Sequence, residues 1–72
     1  MNDIGKYIIK FLHNSEYPYN VGKIIGEDID SYMVKVSYWE ELWLKRNCKI
    51  YNTEEEMFED FNDRRKNIID YL

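Results

Sequence analysis

Val21-Gly22-Lys23-Ile24-Ile25-Gly26-Glu27-Asp28, then Tyr32-Met33-Val34-Lys35-Val36-Ser37-Tyr38-Trp39, then Leu42-Trp43-Leu44-Lys45-Arg46 with a tail to Tyr51: this stretch decides the fold. It reads as three closely spaced strands with room for little else. β-Branched and aromatic residues dominate each run, and polar residues punctuate them. Tyr32, Val34, Val36 and Tyr38 alternate onto one face, which is the expected core face. Met33, Lys35, Ser37 and Trp39 take the other. Glu40 and Glu41 do not suit a primed two-residue hairpin, so a longer loop is expected around them. A register that sets Trp39 opposite Trp43 then places Tyr38 against Leu44 and Val34 against Cys48. Its one flaw is Arg46 opposite Val36.

Working outward toward the N-terminus, residues 4–12 fit two patterns. Ile4, Tyr7, Ile8, Phe11 and Leu12 make a helical stripe, whereas Tyr7, Ile9 and Phe11 alternate as in a strand. The residue types and Gly5 favour the strand. His13 to Asn20 reads as a loop around Pro18, and Gly22 and Gly26 mark bends or a bulge.

Toward the C-terminus, Asn52 to Leu72 is a helix signature. Thr53 and Glu56 form a capping box, acids fill the first turn, and Arg64, Arg65 and Lys66 come later, as the macrodipole favours. Met57, Phe58, Phe61, Ile68, Ile69 and Leu72 supply an apolar stripe. A helix of about twenty residues would be about 30 Å long and would outreach a small barrel. The expected fold is therefore α+β within one domain, residues 1–72. A small antiparallel barrel or curved sheet (5–51) is followed by a long amphipathic helix (53–71).

The strand order and the residues Gly5 to Phe11, Val21 to Asp28, Tyr32 to Val36 and Leu42 to Leu44 resemble an SH3-like small barrel of the KOW/Tudor type. The resemblance covers residues 5–51, and the C-terminal helix is additional to it. It implies a module that binds peptides, modified side chains or nucleic acid.

Composition narrows the functions. At 72 residues the chain is near the lower limit for a self-sufficient core, and its single cysteine, Cys48, rules out an internal disulfide. With one histidine, His13, a Cys/His zinc site within one chain is excluded. The expectation is no metal and no cofactor. Two Trp, three Phe and seven Tyr provide the bulk of a core instead. Neither a secretory leader nor a membrane span is visible, which points to a reducing cytoplasm. Residues 1–52 are electrically neutral, and the net charge of −4 resides in 53–72, the wrong sign for a nonspecific nucleic-acid binder. Ala and Gln are absent, while Asn, Ile, Lys and Tyr, all with AT-rich codons, abound. Such usage in a tiny acidic chain suggests a bacteriophage or mobile-element source, which would put the chain in the host cell cytoplasm.

No catalytic set assembles. His13 is lone, Ser15, Ser31 and Ser37 lack triad partners, and Cys48 reads as a small apolar residue. The expected function is a non-catalytic protein-binding module, an inhibitor of a host or defence protein with a basic surface. The candidate contact residues are Trp39 and Trp43 as aromatic anchors and Glu55, Glu59 and Asp63 as an acidic helix stripe. Two arrangements compete for the tryptophans: the helix covers them through Met57, Phe58 and Phe61, or they stand exposed for a partner. The acidic residues likewise read as an ordinary solvated face or as a phosphate-like stripe. A cation cage from Tyr17, Tyr19, Tyr32 and Tyr38 is a minor option. The alternatives to an inhibitor are a KOW-like nucleic-acid module using Lys10, Lys23, Lys35, Lys45 and Arg46, and a structural homo-oligomer.

Overall fold

A computed structural model describes residues 3–13 and 15–69, with side chains through residue 66. Five strands precede one helix: β1 (Tyr7–Phe11), β2 (Pro18–Glu27), β3 (Ser31–Val36), β4 (Trp39–Leu44), a 3-10 turn (Lys45–Asn47), β5 (Cys48–Tyr51) and α1 (Glu54–Ile69). The strands form one antiparallel sheet in the order β4-β3-β2-β1-β5. Segment 4–12 thus contains a strand rather than a helix: Ile8 and Ile9 are both fully buried, on opposite faces, as a strand covered on both sides requires.

Strand β2 is longer than expected. It starts at Pro18, inside the segment read as a loop, because proline is tolerated at the first position of a strand. Pro18 is buried and lies opposite Phe11. β2 then serves two neighbours in turn. Pro18 to Lys23 pairs with β1, and Lys23 to Glu27 pairs with β3, with an irregularity between Ile24 and Gly26. A bulge bends a strand and raises its twist, and here it falls at the glycine marked as a bend.

The sheet curls without closing. Trp43 on β4 and Ile50 on β5 stand at opposite ends of the strand order, yet both pack with Ile8, Ile24, Tyr32, Val34 and Val36. That shared core lies on the concave face. β4 and β5 keep free outer edges, so the architecture is the curved sheet, not the closed barrel. Gly22 permits the tight curl. A Cβ there would lie 2.3 Å from Val34 Cγ1 and 2.7 Å from the Lys35 carbonyl oxygen, closer than any side chain can sit.

The β3–β4 hairpin departs from the expected register. Val36 pairs with Trp39, Val34 with Glu41 and Tyr32 with Trp43, leaving Ser37 and Tyr38 as a two-residue turn. Ser37 takes a positive φ of 56°, as the first central residue of a primed turn does. Neither residue is the Asn or Gly usual in such turns, which hid the turn in the sequence. Glu40 and Glu41 are therefore in the strand, and Tyr38 is 97 % exposed rather than in the core. The pairing differs from expectation by an odd number of residues, which moves both Trp39 and Trp43 to the core side of the sheet, Trp43 into the core itself. Cys48 and Arg46 do not pair with β3. The 3-10 turn carries Arg46, and Cys48 opens β5 opposite Lys10 of β1.

The helix begins as the capping box dictates: Thr53 Oγ1 accepts the Glu56 N–H at 3.2 Å. At 16 residues it is shorter than expected, about 24 Å long. Residues 70–72 lie outside the described residues, as do the side chains of Ile68 and Ile69. α1 packs on the convex face of β1, β2 and β5. Met57 is buried there with Ile9 and Tyr51, and Tyr7, Phe11, Val21 and Phe61 close around them. Asp60 anchors it, accepting hydrogen bonds from the Tyr51 hydroxyl and from Arg64 Nε at 2.9 Å, while the Arg64 guanidinium lies 5.0 Å from the Phe11 ring centroid.

Candidate functional site

Strand alternation puts Trp39, Glu41 and Trp43 on one face of β4. Their cross-strand partners Val36, Val34 and Tyr32 are core residues, so this is the concave face. The two indoles then diverge. Trp43 lies deep and is 1 % exposed, whereas Trp39 sits at the rim beside the hairpin turn and is 53 % exposed.

Glu41 ties the pair together. One carboxylate oxygen accepts the Trp39 indole N–H at 2.6 Å, and the other accepts the Trp43 indole N–H at 2.9 Å. These two hydrogen bonds hold the Glu41 carboxyl below its ordinary value, with Lys10 adding a smaller effect. The exposed Trp39 is therefore oriented by a carboxylate that is itself fixed to the core. On the same side, Lys10 Nζ lies 5.4 Å from the Tyr19 ring centroid and 5.7 Å from that of Trp43, so an ammonium group is accommodated against these rings.

The helix does not cover the tryptophans; Met57 and Phe61 pack on the other face of the sheet. Of the four tyrosines weighed as a cage, Tyr32 is buried with its hydroxyl on Asp3, Tyr38 is on the hairpin tip, and Tyr19 faces Lys10. They do not converge.

On the convex face β4 presents Glu40, Leu42 and Leu44. Leu42 is 64 % exposed and Leu44 is exposed as well, with Met33 opposite Leu42. Among the described residues, α1 reaches this half only at its border, where Glu54 and Phe58 line a groove with Lys35 and Ser37. Strand β4 thus carries exposed apolar side chains on both faces and a free edge.

Glu55, Glu59 and Asp63 recur at every fourth residue and are all exposed, so they form one acidic row along α1. The basic residues of the nucleic-acid alternative are dispersed. Lys23 and Lys35 are cross-strand neighbours on the convex face, lining a groove of about 420 Å³ with Phe58. Lys45 pairs with Glu27 at 2.8 Å and lies 4.9 Å from the Tyr32 ring centroid. Lys10 faces the aromatic rings, and Arg46 is exposed on the 3-10 turn. Among the described residues no three His, Cys, Asp or Glu side chains gather to hold a metal ion, and no helix is long and apolar enough to cross a membrane.

The Trp39–Glu41–Trp43 bridge was missed from sequence, although its signal was available: a carboxylate between two tryptophans at strand spacing. Assigning Glu41 to a loop concealed it. Comparisons with protein-family models, curated proteins and solved structures give no match to this chain.

Proposed function

We propose that this chain is a non-catalytic protein-binding module whose contact surface centres on β4. The observation that carries the reading is Trp39, a large aromatic residue that is half exposed yet held in place by Glu41. Fixing such a side chain before contact reduces the entropy lost on binding, and Trp is prominent among residues that dominate interfaces. Trp43 contributes from beneath, through the carboxylate it shares with Trp39.

The strand order and curl of the sheet support an SH3-like small β fold as the framework. A binding role rather than catalysis is supported by Cys48, whose thiol burial pushes up to about 11, leaving it protonated at neutral pH. The narrower reading is an inhibitor of a host or defence protein, encoded by a phage or mobile element and acting in the host cytoplasm. It draws its support from the AT-rich residue usage and from the acidic row Glu55, Glu59 and Asp63, which would meet a basic surface on that protein.

Affinity capture with the intact chain, the Trp39→Ala variant and a Glu55→Lys/Glu59→Lys/Asp63→Lys variant tests this. The expected result is a partner retained by the intact chain and lost or weakened at least tenfold with Trp39→Ala. Weakened, less salt-sensitive capture by the triple variant would place the acidic row in the interface. Equal retention by all three proteins would remove both surfaces from the function.

A further inference from the structure

We infer that the free edge of β4 takes an extended segment of a partner protein as an added strand, and that this segment alternates apolar and basic residues. The inference rests on the binding-module reading and deepens it by naming the ligand class.

The edge itself comes first. β4 ends the strand order, so among the described residues one side of its backbone has no strand neighbour. Exposed edges are normally blunted by charged side chains, lysine above all, by proline, a bulge or a covering element. β4 contains neither lysine nor proline, and its ladder with β3 runs regularly through six residue pairs. The opposite end of the sheet is different. β5 is only four residues long, carries Lys49, and has α1 packed on it. The longer, uncovered edge is therefore the one beside Trp39, and the charges that guard it, Glu40 and Glu41, are acidic, so they repel an acidic strand and admit a basic one.

Side chains then define the segment. On the convex face, Leu42 and Leu44 are exposed two residues apart, which is the spacing of successive same-face residues on an added strand. They call for apolar partners. On the concave face, Trp39 offers its half-exposed ring at the rim and Glu41 its negative charge, while Lys10 lies against Trp43 and Tyr19. A lysine or arginine suits that side. Apolar on one face and cationic on the other is a period-two pattern, the pattern a strand delivers.

Charge also selects against a second copy of this chain. Antiparallel pairing of β4 with itself would bring Glu40 and Glu41 from both copies into one seam, in a protein whose net charge is −4. Like charges across a strand pair are destabilising. A basic partner gains where a second copy loses.

The test uses the full chain and an alternating Val–Lys peptide, followed by backbone NMR shifts and calorimetry. Saturable binding with shifts confined to residues 39–44 and their β3 neighbours is expected. The peptide is also made with N-methyl groups on alternate amides, in two versions that block opposite edges. One version should lose binding at least tenfold while the other keeps it, since only one peptide edge faces β4. An alternating Val–Glu peptide should bind at least tenfold more weakly, and Leu42→Ala should weaken the Val–Lys complex severalfold.

Equal binding by both N-methyl versions would overturn strand addition. Equal binding of the Val–Glu peptide would overturn the basic preference. Shifts centred on Glu55, Glu59 and Asp63 would show that the lysines merely seek the acidic helix, and concentration-dependent β4 shifts without peptide would assign the edge to a second copy. If the peptide fails while Trp39-dependent capture of a partner succeeds, the strand-addition inference falls and the binding-module reading stands.

Discussion

The convex face of the sheet has two halves that were treated differently. Over β1, the first part of β2 and β5, the helix buries Ile9, Tyr51 and Met57 and fixes itself through Asp60. On β4, Leu42 and Leu44 face outward, with Met33 of β3 opposite Leu42. Both halves belong to one continuous sheet, and both carry large apolar residues. A 72-residue chain has little apolar surface to spare. A helix over one half alone separates the part of the face that stabilises the fold from the part proposed above to meet a partner.

The contrast should break most sharply at Met57. Met57→Ala removes a fully packed side chain from the covered half and should cost about 2–4 kcal/mol, read as a lowered midpoint in urea unfolding. Gly22→Ala tests the curl that separates the concave from the convex face. The added Cβ must displace Val34 and the Lys35 carbonyl, which should cost about 1–3 kcal/mol and blur the NMR shifts of β2 and β3.

Acid acts on both faces of the sheet. Burial alone would raise the Asp60 carboxyl, but hydrogen bonds from Tyr51 and Arg64 bring it below its ordinary value. The hydrogen bond from Tyr32, then that from Lys6, lowers Asp3, and the two indoles lower Glu41. With folded values depressed, the unfolded chain binds more protons. The stability these groups contribute is present above about pH 4 and is lost as pH falls further. Thermal unfolding followed from pH 6 to pH 2 should show this decline, and Asp60→Asn should flatten part of it. On the alkaline side the sign reverses in form. Burial, aided by Asp3, raises the Tyr32 hydroxyl to about 12, so its contribution is lost as pH climbs from about 10 to about 12.

Smaller effects complete the comparison. Thr53→Ala deletes the cap that starts the covering helix and should cost about 1 kcal/mol in the same unfolding assay. Leu42→Ala, on the bare half, should change stability by less than about 0.5 kcal/mol. A Leu42 penalty matching that of Met57 would show that the bare half is structural after all.

Much of the covered half was legible in the sequence. The Thr53 cap and the burial of Met57 and Phe61 follow from local chemistry, and the structure reproduces them, whereas Phe58 of the same stripe is 42 % exposed. The bare half was harder because its register depends on one turn. Ser37 and Tyr38 carry no glycine or asparagine to announce a positive φ, whereas Glu40 and Glu41 look like loop residues. Turn identity decides which face each β4 residue takes, so one missed turn misplaced Trp43 and hid the carboxylate bridge. Which strands curl onto which is likewise a long-range property. No local pattern states that β4 and β5 will share one core.

The divergence of the two tryptophans makes the chain its own optical instrument. With only two indoles in the molecule, emission divides between one half-exposed chromophore at the rim and one in a dry interior. Quenching by added iodide should therefore remove the Trp39 component selectively, and any partner seated on β4 should shield it. Contact at the rim and loosening of the core would register as separate signals, with no dye attached and no residue changed.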